Sequence, residues 1–276
     1  MSRFVDLHTH SNRSDGTVSP AEVVRRARRQ GIETLVLTDH DTVSGFEEAR
    51  GEALRLGQRF ACGVEINTRE GDNVHILGYG VDPSSGRLRE SLEEFCGRRL
   101  RRAEGIIGRL GELGVDLRLE EVVGLSREAI GRPHVADALR RKGVVRSRAE
   151  AFRRYLGRGA AAYVEPMGPT VEEAIALIRE VGGFAVLAHP GLLGRDFPLG
   201  PWVDAGLEGI EAYYVTHTRP QVQRYLETAK RYGLMPTGGS DFHGPRTGHQ
   251  DNLGVRLPED VFSRIEPRLR VLGGSS

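Results

Sequence analysis

The stretch Arg3-Phe4-Val5-Asp6-Leu7-His8-Thr9-His10 joins a short apolar run, typical of a β-strand, to two histidines. Side chains two positions apart on an extended segment point to the same side, so His8 and His10 are expected to face one cleft. Asp15 follows closely. Imidazole nitrogens and carboxylate oxygens are ligands that zinc, manganese and iron accept. The opening stretch therefore predicts half of a metal site at the end of a first strand.

Further side chains of the same chemical types accompany other strand-like runs. His40 follows the run 34–38, and Glu65 lies near the end of the run 61–66. A carboxylate on an apolar strand is costly to bury unless it is paired or bound to a metal. A single histidine at the end of a strand-like run is more often structural. Several separate histidine and carboxylate motifs beside such runs, in this order along the chain, are improbable by chance. The predicted metal ligands are His8, His10, Asp15, His40, Glu65, His75, His189, Asp241 and His243.

Seven apolar runs have the length of strands, at 4–7, 34–38, 61–66, 74–79, 184–188, 209–213 and 234–238. Amphipathic segments with helix-start and helix-stop residues alternate with them, at about 20–30, 170–181 and 221–232. This alternation predicts an α/β protein with a parallel sheet. A closed barrel explains ligands contributed by many strand ends, whereas an open doubly wound sheet is the competing fold.

Residues 86–165 differ from the rest because their pattern predicts helices without intervening strands. We expect a barrel built from 1–85 and 166–276, with the helical segment as an insertion that covers the active site. Residues 98–158 hold fifteen arginines and Lys142 against eight acidic residues, a net +8, which leaves −7 for the rest of a chain whose total is +1. This asymmetry favours an anionic ligand, although basic residues also commonly coat exposed helix faces.

Bulk composition argues against a membrane protein and against a secreted protein held together by disulfides. Hydrophobic residues make up 38% of the chain, no apolar run is long enough to span a membrane, and the chain starts directly with a strand. A cytoplasmic location is the default expectation. The two cysteines are far apart, so we expect free thiols and no thiolate metal site.

Together with the opening stretch, the motifs Ala188-His189-Pro190-Gly191 and Gly239-Ser240-Asp241-Phe242-His243 resemble those of the PHP (polymerase and histidinol phosphatase) family of metal-dependent phosphoesterases. The resemblance implies a distorted, TIM-like (β/α)7 barrel with three divalent metal ions, which could be manganese, iron or zinc. It assigns His8, His10, Glu65 and Asp241 to one ion, and Asp15, His40 and His243 to a second. Glu65, as a bridge, would hold the third ion with His75 and His189.

The resemblance also implies hydrolysis of a phosphate ester by a metal-bridging hydroxide. His217, just past a strand, is the candidate general acid and a candidate phosphate contact. Arg132 and His134 begin a helix and are candidates for holding a second phosphate, remote from the metals, and His249 is a further substrate-binding candidate. Alternatively, Arg132 and His134 belong to a helix turn packed on the barrel, and His217 is an exposed loop residue.

Within the family, this short chain with its insertion motif Gly131-Arg132-Pro133-His134 resembles the nucleoside 3',5'-bisphosphate phosphatases, also described as ribonuclease AM-like 5'-to-3' exoribonucleases. The implied partner is a small phosphorylated nucleotide or the 5' end of a short RNA, with no membrane and no obligate protein partner. Histidinol-phosphate phosphatase, or another small phosphomonoesterase, is an alternative, but the Arg-rich insertion suits an anion better than a cationic amino alcohol. A metal-stabilised binding module is the non-enzymatic alternative.

Overall fold

The computed structural model of the chain describes residues 1–124, 128–194, 197–245, 247 and 252–272. Within these residues, eight strands form one sheet in the order β7-β6-β5-β4-β3-β2-β1-β8. The strands are β1 Ser2–Asp6, β2 Thr34–Leu37, β3 Arg59–Asn67, β4 His75–Tyr79, β5 Phe184–Leu187, β6 Gly209–Tyr214, β7 Met235–Gly239 and β8 Val255–Pro258.

The sheet curls into a barrel because the segments that follow its first and seventh strands pair with each other. Thr9 and Phe242 form a parallel bridge. The Asp241 amide donates to the His8 carbonyl at 2.9 Å, and the His10 amide donates to the Phe242 carbonyl at 2.8 Å. The predicted barrel is therefore confirmed, and the open sheet is not observed.

The predicted parallel pairing holds for β1–β2, β2–β3, β5–β6 and β6–β7, but the sheet is mixed. Strand β4 runs antiparallel to both β3 and β5, and β8, which the pattern analysis missed, runs antiparallel to β1. The β3–β4 connection is short enough for a hairpin, whereas parallel neighbours need a long crossover. The run Val255–Pro258 is only four residues long and contains an arginine, so its apolar pattern is weak.

Ten α-helices lie in the described ranges. Ser19 caps the first helix with its side chain and Gly31 ends it in the left-handed conformation, as their sequence signals predict. The helix expected at 221–232 begins two residues earlier because Thr218 and Gln221 form a capping box. The helices are α1 Pro20–Gln30, α2 Phe46–Leu56, α3 Gly86–Glu112, α4 Leu119–Val123, α5 Arg132–Arg141, α6 Arg148–Ala151, α7 Val171–Glu180, α8 Leu199–Asp204, α9 Arg219–Tyr232 and α10 Glu259–Ile265.

Helices α3 to α6 make up most of the Arg-rich segment. Their buried side chains form a separate hydrophobic cluster that includes Ile106, Leu110, Val135, Leu139 and Ala151. Another cluster joins strands across the barrel, with members such as Val5, Val36, Leu77 and Val186. Separate clusters of this kind let the helical segment pack as a unit beside the barrel. Across the described ranges, none of the helices combines the length and apolarity that a membrane span requires.

Candidate metal centre

All nine predicted ligands converge at one end of the barrel. Most of them follow the carboxyl ends of parallel strands, where barrel enzymes place their chemistry. His75 is different because it begins β4, but that strand is antiparallel and its first residue pairs with Asn67 at the end of β3. The reversed strand thus places His75 at the same edge as Glu65 on β3.

A first group of ligands surrounds one oxygen of Glu65. The Nε2 atoms of His8 and His10 are 3.1 Å apart. Glu65 Oε2 lies 3.2 Å from the first and 3.1 Å from the second. Asp241 Oδ1 lies 3.3 and 3.2 Å from the same two nitrogens. Four buried ligand atoms that face one point are the arrangement a cation requires.

A second group lies beside the first and shares His10. Asp15 Oδ1 is 3.1 Å from His243 Nε2, and Asp15 Oδ2 is 3.8 Å from His40 Nε2. The potential ligand atoms of His10, Asp15, His40 and His243 all lie within 4.8 Å of one another. This geometry is consistent with a second ion close to the first.

The other oxygen of Glu65 faces a third group. Glu65 Oε1 is 2.8 Å from His75 Nδ1 and 2.9 Å from His189 Nε2. On the opposite side, His40 Nδ1 lies 3.0 Å from Glu65 Oε2. The buried Glu65 Oε2 and Asp15 Oδ1 have no conventional hydrogen-bond donor among the described residues. The donor set and these orphaned oxygens fit divalent cations, with Glu65 as the shared carboxylate.

Electrostatics of the metal-free cluster show what a cation would replace. Burial alone lowers the pKa of His10, but the adjacent carboxylates of Asp241 and Glu65 raise it to about 10. Burial disfavours ionised Glu65, yet the surrounding histidines, His40 first, hold its pKa well below the usual range. Burial lowers the pKa of His40 well below its ordinary value despite the nearby carboxylates. Without metal, protons on some imidazoles therefore balance the buried carboxylates.

Glu211, on β6, is a residue that the motif analysis missed. Its buried carboxylate lies 3.1 Å from His8 Nδ1 and accepts the His189 amide at 2.7 Å. A carboxylate on the far nitrogen of a histidine ligand fixes the tautomer and orientation of the ring. Tyr214, three residues later, donates from its hydroxyl to Asp241 Oδ2 at 2.9 Å. The sequence signal for Glu211 was a glutamate within the otherwise apolar run 209–213.

Backbone geometry also shapes the centre. Asp41, His189 and Asp241 are non-glycine residues with positive φ values of 51°, 26° and 54°. Such conformations are uncommon and concentrate at functional sites. Gly239 ends β7 where a Cβ atom would come within 2.3 Å of the His8 Cβ. The glycine thus allows β7 to approach the histidine pair.

The ligands open into a cleft of about 220 Å³ that the helical segment also lines. Arg99 and Arg102 on α3 and Arg132 on α5 reach this cleft. Arg99 Nη1 donates to Asp41 Oδ2 at 2.9 Å, and the other two arginines pair with Asp72. Arg99 and Arg102 belong to the basic run but were not singled out from the sequence. The basic segment therefore contributes cations to the cleft that holds the metal ligands.

Two other sequence candidates, His134 and His217, do not lie among the described residues that line the cleft. His134 is buried, accepts the Gly131 amide with Nδ1 and has its Nε2 3.1 Å from the Ser14 carbonyl. His217 accepts the Gly191 amide with Nε2 and has its Nδ1 3.0 Å from the Ala212 carbonyl. With both ring nitrogens of each histidine occupied by backbone groups, this geometry supports structural roles rather than substrate contact or proton transfer. His249 lies outside the described residues.

Comparison with known proteins agrees with this geometry. The PHP domain model matches residues 6–126. A 3',5'-nucleoside bisphosphate phosphatase of Chromobacterium violaceum is 36% identical over 97% of this chain and 96% of its own length. A 5'-3' exoribonuclease of Haemophilus influenzae is 35% identical over 89% of this chain and 92% of its own length. A crystal structure from Bifidobacterium adolescentis, provisionally described as a metal-dependent phosphoesterase, superposes with a TM-score of 0.83 at 32% identity, covering 95% of each chain.

A barrel with a buried histidine–carboxylate cluster at one end, together with these matches, defines a metal-dependent phosphoesterase, an enzyme that hydrolyses phosphoric esters. The likeness extends over nearly the full length of both relatives. The chain belongs to the PHP family.

Proposed function

We propose that this enzyme removes the 3'-phosphate of nucleoside 3',5'-bisphosphates and also degrades short 5'-phosphorylated RNA from its 5' end. The observation that carries the proposal is the composition of one cleft, in which the metal-ligand cluster and the guanidinium groups of Arg99, Arg102 and Arg132 face the same space. Relatives named for both activities support this substrate class.

The proposed cofactors are three divalent ions, held by the three ligand groups around Glu65. Manganese, iron and zinc all accept these ligands. When bound, such ions lower the pKa of a coordinated water and offset the charge of phosphoryl oxygens. Glu211 and Tyr214 orient His8 and Asp241 through the contacts described above.

The arginines that reach the cleft would bind the second phosphate of the substrate. Arg99 and Arg102 project from one helix and Arg132 from another, so a phosphate between them would meet donors from two directions. Guanidinium groups bind phosphate through charge-assisted hydrogen bonds. An arginine contact of this kind contributes about 1.5–3 kcal/mol, so its loss lowers kcat/KM about 10- to 150-fold. A substrate with two phosphates therefore uses both halves of the cleft.

The test compares phosphate release from adenosine 3',5'-bisphosphate, adenosine 3'-monophosphate and histidinol phosphate, and mononucleotide release from a short 5'-phosphorylated RNA, with manganese added. His8→Ala is expected to abolish turnover of every substrate. Arg132→Ala is expected to remove the preference for the bisphosphate while retaining turnover of the 3'-monophosphate. Arg140→Ala is the matched control because it lies on the same helix, pairs with Asp137 and has a side chain 54% exposed.

Preference for histidinol phosphate, or an Arg132→Ala enzyme with the wild-type preference, would contradict the proposed substrate. Loss of all activity in Arg140→Ala would instead show that α5 is sensitive to any change of charge. The bisphosphate and the 3'-monophosphate share the scissile ester, so their ratio isolates the second phosphate.

A further inference from the structure

His189, a predicted ligand of the third group, lies in a strained turn that follows β5. Its φ value is 26°, outside the main allowed regions of the backbone. Its Nε2 lies 2.9 Å from Glu65 Oε1, but its buried Nδ1 has no hydrogen-bond partner among the described residues. A histidine ligand is usually oriented by a group on its far nitrogen. The orientation of the His189 ring therefore depends chiefly on the backbone that carries it.

Two hydrogen bonds hold this turn, one at each end. The His189 amide donates to Glu211 Oε2 at 2.7 Å, and the Gly191 amide donates to His217 Nε2 at 3.1 Å. Glu211 is on β6, and His217 follows the end of β6 by three residues. Gly191 packs closely there, because a Cβ atom on it would come within 2.6 Å of His217 Nε2. The turn that carries the ligand is therefore held at two points by β6 and the residues just after it.

Hydrogen bonding also fixes the tautomer of His217. Its Nδ1 lies 3.0 Å from the Ala212 carbonyl, which can only accept, so Nδ1 carries the ring proton. Nε2 is then the acceptor that the Gly191 amide requires. The ring also contacts the rings of Tyr214 and Tyr225, with centroid distances of 5.1 and 4.9 Å. His217 is thus a fixed acceptor for the Gly191 amide.

We propose that His217 is a positioning residue that holds His189 ready to bind the third divalent ion. This inference rests on the three-ion centre of the proposed function. A strained backbone persists only where its surroundings hold it, so loss of the bond to Gly191 allows the metal-free turn to relax. Only a fraction of the metal-free molecules then has His189 in place, and the apparent dissociation constant of the ion rises in inverse proportion to that fraction.

The experiment measures metal binding directly. Chelator-treated protein is dialysed to equilibrium against increasing free Mn²⁺, and elemental analysis counts the bound manganese. His189→Ala removes the ligand and identifies the binding step that depends on it. His217→Asn is too short to reach Gly191 but can still donate to the Ala212 carbonyl. We expect it to weaken that step about tenfold, which is about 1.4 kcal/mol, and to leave the other steps unchanged.

A longer amide separates the hydrogen bond from packing. His217→Gln brings an acceptor oxygen near the position of Nε2, so it is expected to restore most of the affinity at that step. A role in packing alone predicts equal losses, since both amides lack the aromatic ring. Thr216→Ala, at the exposed position before His217, is the matched control. Melting curves check folding, and His217→Phe, which keeps a ring but has no acceptor, replaces His217→Asn if the latter does not fold.

The outcomes are distinct. Wild-type affinity at the His189-dependent step in His217→Asn, equal losses in His217→Asn and His217→Gln, or a similar loss at every step would each overturn the inference. A wild type that binds fewer than three ions would overturn the three-ion centre and this inference with it, and that failure is visible without any variant. A selective loss in His217→Asn that recovers in His217→Gln supports the inference. Substrate preference does not enter the measurement, so failure of the proposed substrate is recognised separately.

Discussion

Replacement of Glu211 by glutamine tests whether the carboxylate beside His8 supports metal binding. Glu211 is fully buried, with its carboxylate 3.1 Å from His8 Nδ1 and accepting the His189 amide at 2.7 Å. Glutamine has nearly the same shape, but it is uncharged and has only one acceptor oxygen. Loss of such a partner typically weakens metal binding about 10- to 100-fold. The expected loss of binding free energy is therefore about 1.4–2.7 kcal/mol.

Chelator-treated protein is titrated with Mn²⁺, and calorimetry measures the binding affinity. The metal concentration that gives half-maximal phosphate release is a second readout. Glu208→Gln is the control, since Glu208 lies three residues away and pairs with Arg268 on the surface. Activity at saturating metal should largely recover in Glu211→Gln because all nine predicted ligands remain. Equal metal affinity in Glu211→Gln and Glu208→Gln would refute the role assigned to this carboxylate.

Three further predictions address the centre and the fold around it. Neighbouring carboxylates raise the pKa of His10 to about 10 and that of His8 well above its usual value. Metal binding at pH 7 should therefore release protons and tighten as pH rises. Calorimetry in buffers of different ionisation enthalpy measures the proton release, and equal heats in all buffers would contradict it. Gly239→Ala should prevent metal binding or lower the melting temperature markedly, because its Cβ would overlap His8, whereas Gly51→Ala, with open space at its Cβ, should not. Thr218→Ala should cost about 1 kcal/mol in the free energy of unfolding through loss of the α9 cap, measured by denaturant titration, and an unchanged midpoint would contradict this.

Sequence patterns predicted well those features that depend on neighbours along the chain. The opening histidine pair, the Ser19 cap of α1 and the strand runs beside most of the predicted ligands all combine a local preference with a short spacing. Their prediction needs no knowledge of distant contacts. The convergence of the ligands then follows from the barrel, because strand ends meet at one rim.

The features that sequence patterns missed depend on pairing between distant segments. The direction of β4 cannot be read from its apolar residues, and β8 has too short a pattern to stand out. Glu211 and Asp72 look like an ordinary strand glutamate and a loop aspartate until the fold places them beside His8 and two arginines. The anion-binding role of His134 stays a prediction, since both of its ring nitrogens contact backbone groups while Arg132, in the same motif, reaches the cleft.

The two missed carboxylates have opposite effects on the charge available to a phosphate. Glu211 orients His8 from behind the metal ligands, so its charge supports cation binding without facing the cleft. Asp72 lines the cleft and reduces the charge of the arginine pair that would receive the second phosphate. Anion recognition here therefore depends on the position of each carboxylate relative to the cleft. The net +8 of the basic run overstates the charge a substrate meets, because Asp41 and Asp72 pair with Arg99, Arg102 and Arg132, the arginines of the described residues that reach the cleft.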